Sequence, residues 1–184
     1  MKKVAFYFIL IISLSWGMSC SNDDQKDEKM IMQVNVTEDS IVDFFKTELP
    51  ERHNSSEIYH KTESFFYEHD LFGGHPIEKD IVYIINNQKE ISEIYLGKKV
   101  LPKIDFDKFT LIIGQAIMPT LGFYVAKKEL KESKDGITLN VYAINDSKSD
   151  EIRPTALQSL YYWAIYPKLS QKFVKVNIIS EYTN

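Results

Sequence analysis

One cysteine, Cys20, is all that the 184-residue chain contains, so no intramolecular disulfide can brace it. No apolar run reaches the roughly 20 residues that a membrane-spanning helix needs. The longest, Val4 to Leu14, stops after about 11 and is diluted by Ser13, Ser15, Gly17 and Ser19. Basic residues never cluster beyond Lys98-Lys99 or Lys127-Lys128, whereas nucleic-acid binding needs several cations on one face, and this argues against that class of partner. The sequence also lacks HExxH, G-x-S-x-G and a glycine-rich phosphate loop. Common metalloprotease, serine-hydrolase and nucleotide chemistries therefore have no foothold here, and the expectation is a protein that is not an enzyme and needs no cofactor.

What the N-terminus does contain is ordered. Lys2 and Lys3 precede the apolar run, and small residues follow it up to Cys20, which is the layout of a secretory signal peptide over residues 1–19. The setting Gly17-Met18-Ser19-Cys20 resembles a bacterial lipobox, in which the thiol receives a lipid and becomes the mature N-terminus. That resemblance implies lipidation of Cys20 and membrane attachment through the acyl chains; two or three chains hold stably where one does not. The competing reading is a cysteine discarded with the leader.

Loss of residues 1–19 removes two lysines and takes the formal charge from −4 to −6. Residues 20–29 begin with the lipidated cysteine and continue SNDDQKDEK, too polar to bury apolar surface, so a disordered tether is expected. This acidic start resembles the segment that directs lipoproteins of Bacteroidetes-type bacteria to the outer face of the outer membrane. It implies a lipid-anchored protein of the outer membrane, displayed at the cell surface. Residues 30–184 are of a length for one domain.

Periodicity then assigns the elements. Met30 to Val36 fits a short strand. Ile41, Phe44, Phe45 and Leu49 recur at helical spacing after an N-cap at Asp39 or Ser40, and Pro50 ends the helix. The stretch 56–70 fits neither period, and Gly73-Gly74-His75-Pro76 marks a turn. DIVYIIN, Asp80 to Asn86, is a strand by its β-branched content. Asn87 with Glu90 caps a short helix that should end at Gly97. Phe109 to Met118 contains consecutive Leu111, Ile112 and Ile113, the pattern of a strand covered on both faces. Asp135-Gly136 lies between two alternating runs and signals a hairpin. Thr155 to Tyr166 and Phe173 to Ser180 supply two closing strands. The fold class expected is α+β: an antiparallel β-meander of about five to six strands, best defined over 80–180, with one or two short helices packed on it.

From Asp80 to Ile179 the order of elements, the IDFDKF entry at Ile104 to Phe109 and the closing YYWAIYPKL at Tyr161 to Leu169 resemble PrcB-like bacterial lipoproteins, with Leu121-Gly122 where that family has Gly-Gly. The resemblance implies a non-catalytic accessory module that stabilises or regulates a partner protein, such as a protease complex. It carries over no catalytic residue. A glycan-contacting lipoprotein of a polysaccharide uptake system is the alternative, since Tyr and Trp stack on sugar rings.

Three groups are candidate sites. His60, His69 and His75 have no spacing known for zinc and read as loop histidines rather than a metal site. Asp105 and Asp107 could act as an acid/base pair, but read more simply as turn formers bracketing Phe106. In the last aromatic run, Tyr162, Ala164 and Tyr166 face one way and Tyr161, Trp163 and Ile165 the other. Either that strand is covered on both sides, or one aromatic row is exposed; the second reading makes Tyr161, Trp163 and Tyr166 the partner-binding residues.

Overall fold

The computed structural model describes residues 28–36, 38–52, 65, 81–146, 157–170 and 173–183. The leader, Cys20, most of the tether and all three candidate histidines lie outside the described residues. Among the described residues, seven strands and two helices follow in chain order: β1 (Lys29–Ile31), α1 (Asp39–Glu48), β2 (Ile81–Ile85), α2 (Gln88–Ile94), β3 (Phe109–Met118), β4 (Phe123–Ser133), β5 (Gly136–Asn145), β6 (Gln158–Pro167) and β7 (Val174–Tyr182). The class is α+β, as expected.

The strands do not form one meander. β2, β3 and β6 make an antiparallel three-stranded sheet, while β1, β4, β5 and β7 make a second sheet in that order, with β7 running parallel to β5. The closing strands β6 and β7 therefore part company, and side-chain pattern explains why. β6 is apolar on both faces and needs cover on both; β7 sets Val174, Val176 and Ile178 against Lys175 and Asn177 and can bury only one. The strand with two apolar faces joins the inner sheet, and the strand with one joins the outer sheet.

Three layers result. On one face of the inner sheet, Leu111, Ile113, Tyr161, Trp163 and Ile165 pack under Ile41, Phe44, Phe45 and Leu49 of α1 and its end, Phe65, and Ile91 of α2. On the other face Ile112, Tyr162, Ala164 and Tyr166 meet Leu130, Leu139 and Val141 of the outer sheet. Each buried Leu, Ile, Val or Phe among them contributes about 1.5–3 kcal/mol relative to exposure, so these two cores are a large part of what favours folding.

Local chemistry sets the joints. α2 starts as expected: the Asn87 side chain accepts from the Glu90 amide at 2.9 Å, and the Glu90 carboxylate accepts from the Asn86 amide at 2.6 Å. It ends at Ile94, before Gly97, because Tyr95 is already extended. α1 departs from expectation at its start. Glu38 is the N-cap and makes no side-chain cap bond; the Ser40 hydroxyl donates instead to the Glu38 carboxylate at 2.9 Å. In the β4–β5 hairpin, Ser133 pairs with Gly136, leaving Lys134 and Asp135 as the loop and Gly136 in the left-handed region at φ 130°. Gly114 on β3 lies opposite Tyr162 on β6, and a Cβ there would overlap the tyrosine ring.

A β-bulge between Val125 and Lys127 interrupts the β4–β5 register. Phe123 and Val125 point inward before it, Lys128 and Leu130 after it. One extra residue, Ala126, thus keeps Leu130 in the core and turns Lys128 inward as well.

Candidate functional site: the edge of β6

Among the described residues β6 borders another strand, β3, on one side only, so the main-chain groups along its other edge need partners. At Trp163 these partners are side chains. The Glu51 carboxylate accepts the Trp163 N–H at 3.2 Å, and the Lys128 ammonium donates to the Trp163 carbonyl at 2.7 Å. Glu51 and Lys128 also form a close ion pair with each other. Two residues further along, the Val34 N–H donates to the Ile165 carbonyl at 2.8 Å. An ion pair and one strand-like segment thus take the place of a fourth strand.

The pair also joins the two sheets. The Glu51 carbonyl accepts the Val125 N–H of β4 at 2.9 Å, so one residue binds the outer sheet by its main chain and the inner sheet by its side chain. Position follows from local structure. Leu49 still donates to the Phe45 carbonyl, Pro50 cannot continue a helix, and Glu51 is the first residue free to leave it. Lys128, whose side chain is 10% exposed, is delivered by the bulge.

Beside this edge lies an open cleft of about 380 Å³ lined by Gln33, Val34, Asn35, Val36, Val42 and Trp163. Its walls are aliphatic with two amides. The indole is only 8% exposed: it stacks on Phe45 at 4.8 Å between centroids, and the Lys128 ammonium sits over it at 5.6 Å. A second cleft of about 350 Å³ lies between β1 and the start of the 168–170 segment, with Met30, Ile31, Met32, Ile137, Pro167 and Leu169 around it.

Of the two readings of this strand, cover on both sides holds, and the exposed aromatic row that would have made Tyr161, Trp163 and Tyr166 partner-binding residues is corrected. Tyr161, Trp163 and Tyr166 are 6%, 8% and 0% exposed, and Tyr166 belongs to the opposite face from the other two, so the three cannot form one patch. The physical reason is the middle-layer position of β6. Burial pushes the Tyr166 phenol far above its ordinary range, the Glu51 charge adds to this, and among the described residues its hydroxyl has no hydrogen-bond partner.

Asp105 and Asp107 sit in a turn rather than in extended chain, with Phe106 buried between them. Asp105 is ion-paired to Lys108 at 2.7 Å, which holds its carboxyl below the usual range. The boundary of the tether also shifts: Glu28 bridges to Lys131 at 3.1 Å, and Lys29 already pairs with Glu132.

On the outer face of β4 and β5, Lys127 is bound to Glu129, which also accepts the Tyr142 hydroxyl at 2.8 Å. Lys127 and then Tyr142 hold the Glu129 carboxyl low, while Glu129 raises Lys127 in turn. Lys127 lies over the Tyr142 ring and Arg52 over the Tyr124 ring, at 5.6 and 4.4 Å. Among the described residues no three His, Cys, Asp or Glu gather as a metal site, and no helix is long and apolar enough to cross a membrane.

Sequence reasoning missed Glu51 and Lys128. Lys128 had a signal, the change of inward parity from Val125 to Leu130, which demands a bulge. Glu51 had none, because its partners lie 77 and 112 residues away. Comparison of the chain with protein-family models, curated proteins and solved structures returns no match.

Proposed function

We propose that this chain is a lipid-anchored lipoprotein of the outer membrane, displayed at the cell surface through Cys20, and that it works as a non-catalytic binding module for a partner protein of the kind the PrcB-like resemblance implies. The observation that carries the choice of a protein over a glycan is the occupation of ring faces. A sugar stacks on an open aromatic face, yet Trp163 is packed on Phe45 beneath Lys128, Tyr142 carries Lys127, and Tyr124 carries Arg52, while the exposed Phe173 and Tyr182 stand at opposite ends of β7 and form no shared platform. The cleft beside Trp163 offers instead valines and two amides, which suit an apolar side chain with a polar neighbour from a polypeptide.

A photo-crosslinking amino acid at Asn35, which is exposed at the rim of the cleft, tests this in intact cells. A discrete protein adduct that disappears with Val42→Asp supports the reading. Adducts to polysaccharide, or protein adducts indifferent to Val42→Asp, contradict it.

A further inference from the structure

We propose that the loop from Leu96 to Lys103 is a membrane-contact surface that seats on an anionic bilayer. The loop exposes aliphatic side chains in a way nothing in its own packing requires: Leu96 is 53% and Val100 is 92% exposed. Lys98 and Lys99 lie between them and Lys103 just beyond, all three exposed, on a chain whose overall formal charge is −4. This is a local concentration of cations against the general trend.

The loop does not gain its exposure by being loose. It curls around the Tyr95 ring, where an added Cβ on Gly97 would overlap the ring. The Lys99 N–H donates to the Tyr95 hydroxyl at 3.1 Å, and that hydroxyl donates to Glu48 at 3.3 Å. The Lys99 ammonium reaches Glu48 at 3.0 Å, while its side chain remains 51% exposed. Gln88 adds a bond from its amide to the Pro102 carbonyl at 3.3 Å. Leu96 and Val100 are therefore presented by a braced turn, so little conformational entropy is lost on docking.

Composition decides between lipid and protein as occupant. Protein interfaces are depleted in lysine and enriched in aromatics, methionine and arginine, none of which this loop exposes. Lysines flanking short aliphatic side chains suit the headgroup boundary, where the ammonium groups meet lipid phosphates while the aliphatic tips enter the acyl region. Among the described residues, three acids close in sequence or space to the loop are already engaged, Glu48 with Lys99, Glu93 with Lys89, and Asp105 with Lys108, whereas Asp107 is exposed. Lys98 and Lys103 are exposed and stand in none of these pairs.

The inference rests on the membrane-anchored reading, and the test is chosen to separate the two. Residues 20–184 without acyl chains are mixed with phosphatidylcholine vesicles, with and without phosphatidylglycerol, and co-sedimented. The expected result is binding to the anionic vesicles only, weakened by salt, reduced about fivefold by each of Lys98→Gln and Lys103→Gln. Leu96→Ser with Val100→Ser should abolish it while the thermal unfolding midpoint stays that of the parent, since both sites are exposed. Failure of the parent to bind anionic vesicles, or equal binding by the variants, overturns the proposal. Absence of the lipid anchor would instead show in the mass of the mature N-terminus, whatever the vesicles report.

Discussion

Lys128 of the outer sheet donates to the main-chain carbonyl of Trp163 on the inner sheet at 2.7 Å, and with Glu51 it satisfies both main-chain polar groups of that residue. A lysine therefore does at this edge what a neighbouring strand does elsewhere.

Replacing it should be costly for that reason. Lys128→Met leaves the Trp163 carbonyl and the Glu51 carboxylate without their partner, and about 1–3 kcal/mol of stability should be lost. Because one network is involved, Glu51→Gln combined with Lys128→Met should cost less than the sum of the single changes. Urea unfolding of the four proteins checks this, and simple additivity would contradict it.

Trp163→Ala removes a side chain clamped between Phe45 and Lys128. The expected loss is about 3–5 kcal/mol, enough to unfold a domain of ordinary marginal stability. Thermal unfolding followed by circular dichroism decides the point. A variant as stable as the parent would show that the indole is not core.

Gly114 and Tyr162 illustrate a one-atom constraint. Gly114→Ala should destabilise by about 1–3 kcal/mol, because the new methyl meets the tyrosine ring in the middle of a strand pair. The same change in a Tyr162→Leu background should cost clearly less. Equal costs in the two backgrounds would mean that the ring is not what excludes a side chain.

Acid sensitivity should arise in part at Glu129. Lys127 and Tyr142 hold its carboxyl below the ordinary 4.5, so the folded state binds that proton less tightly than the unfolded chain. Its contribution is complete above pH 4.5 and is lost as the pH falls through the depressed folded value. Glu129→Gln should flatten the decline of the urea midpoint below pH 4.5 and leave the slope at neutral pH unchanged. The effect is small, since the group is at the surface.

Much of the fold was legible because the pattern and the burial agree. Leu111, Ile112 and Ile113 announced a strand with two covered faces, and the paired apolar rows of β6 admitted the same conclusion. The separation of β6 from β7 was harder to see. It depends on which sheet has a second face to fill, and that is decided by the whole set of strands. The exposed-row expectation for Tyr161, Trp163 and Tyr166 failed on that point. Aromatic side chains look alike in sequence whether they line a core or a surface, and only the layer above β6 distinguishes them. The edge network was illegible for a different reason: Glu51 is an unremarkable charge until the fold brings it to Trp163.

The proposed function requires a domain held at a membrane by a lipid on Cys20. Intact mass spectrometry of the protein recovered from the membrane fraction tests this most directly. The expected result is a chain that begins at Cys20 and carries the added mass of its acyl groups, with membrane recovery lost in Cys20→Ala. A mature chain that begins elsewhere without added mass, or a Cys20→Ala protein still held in the membrane fraction, would contradict it.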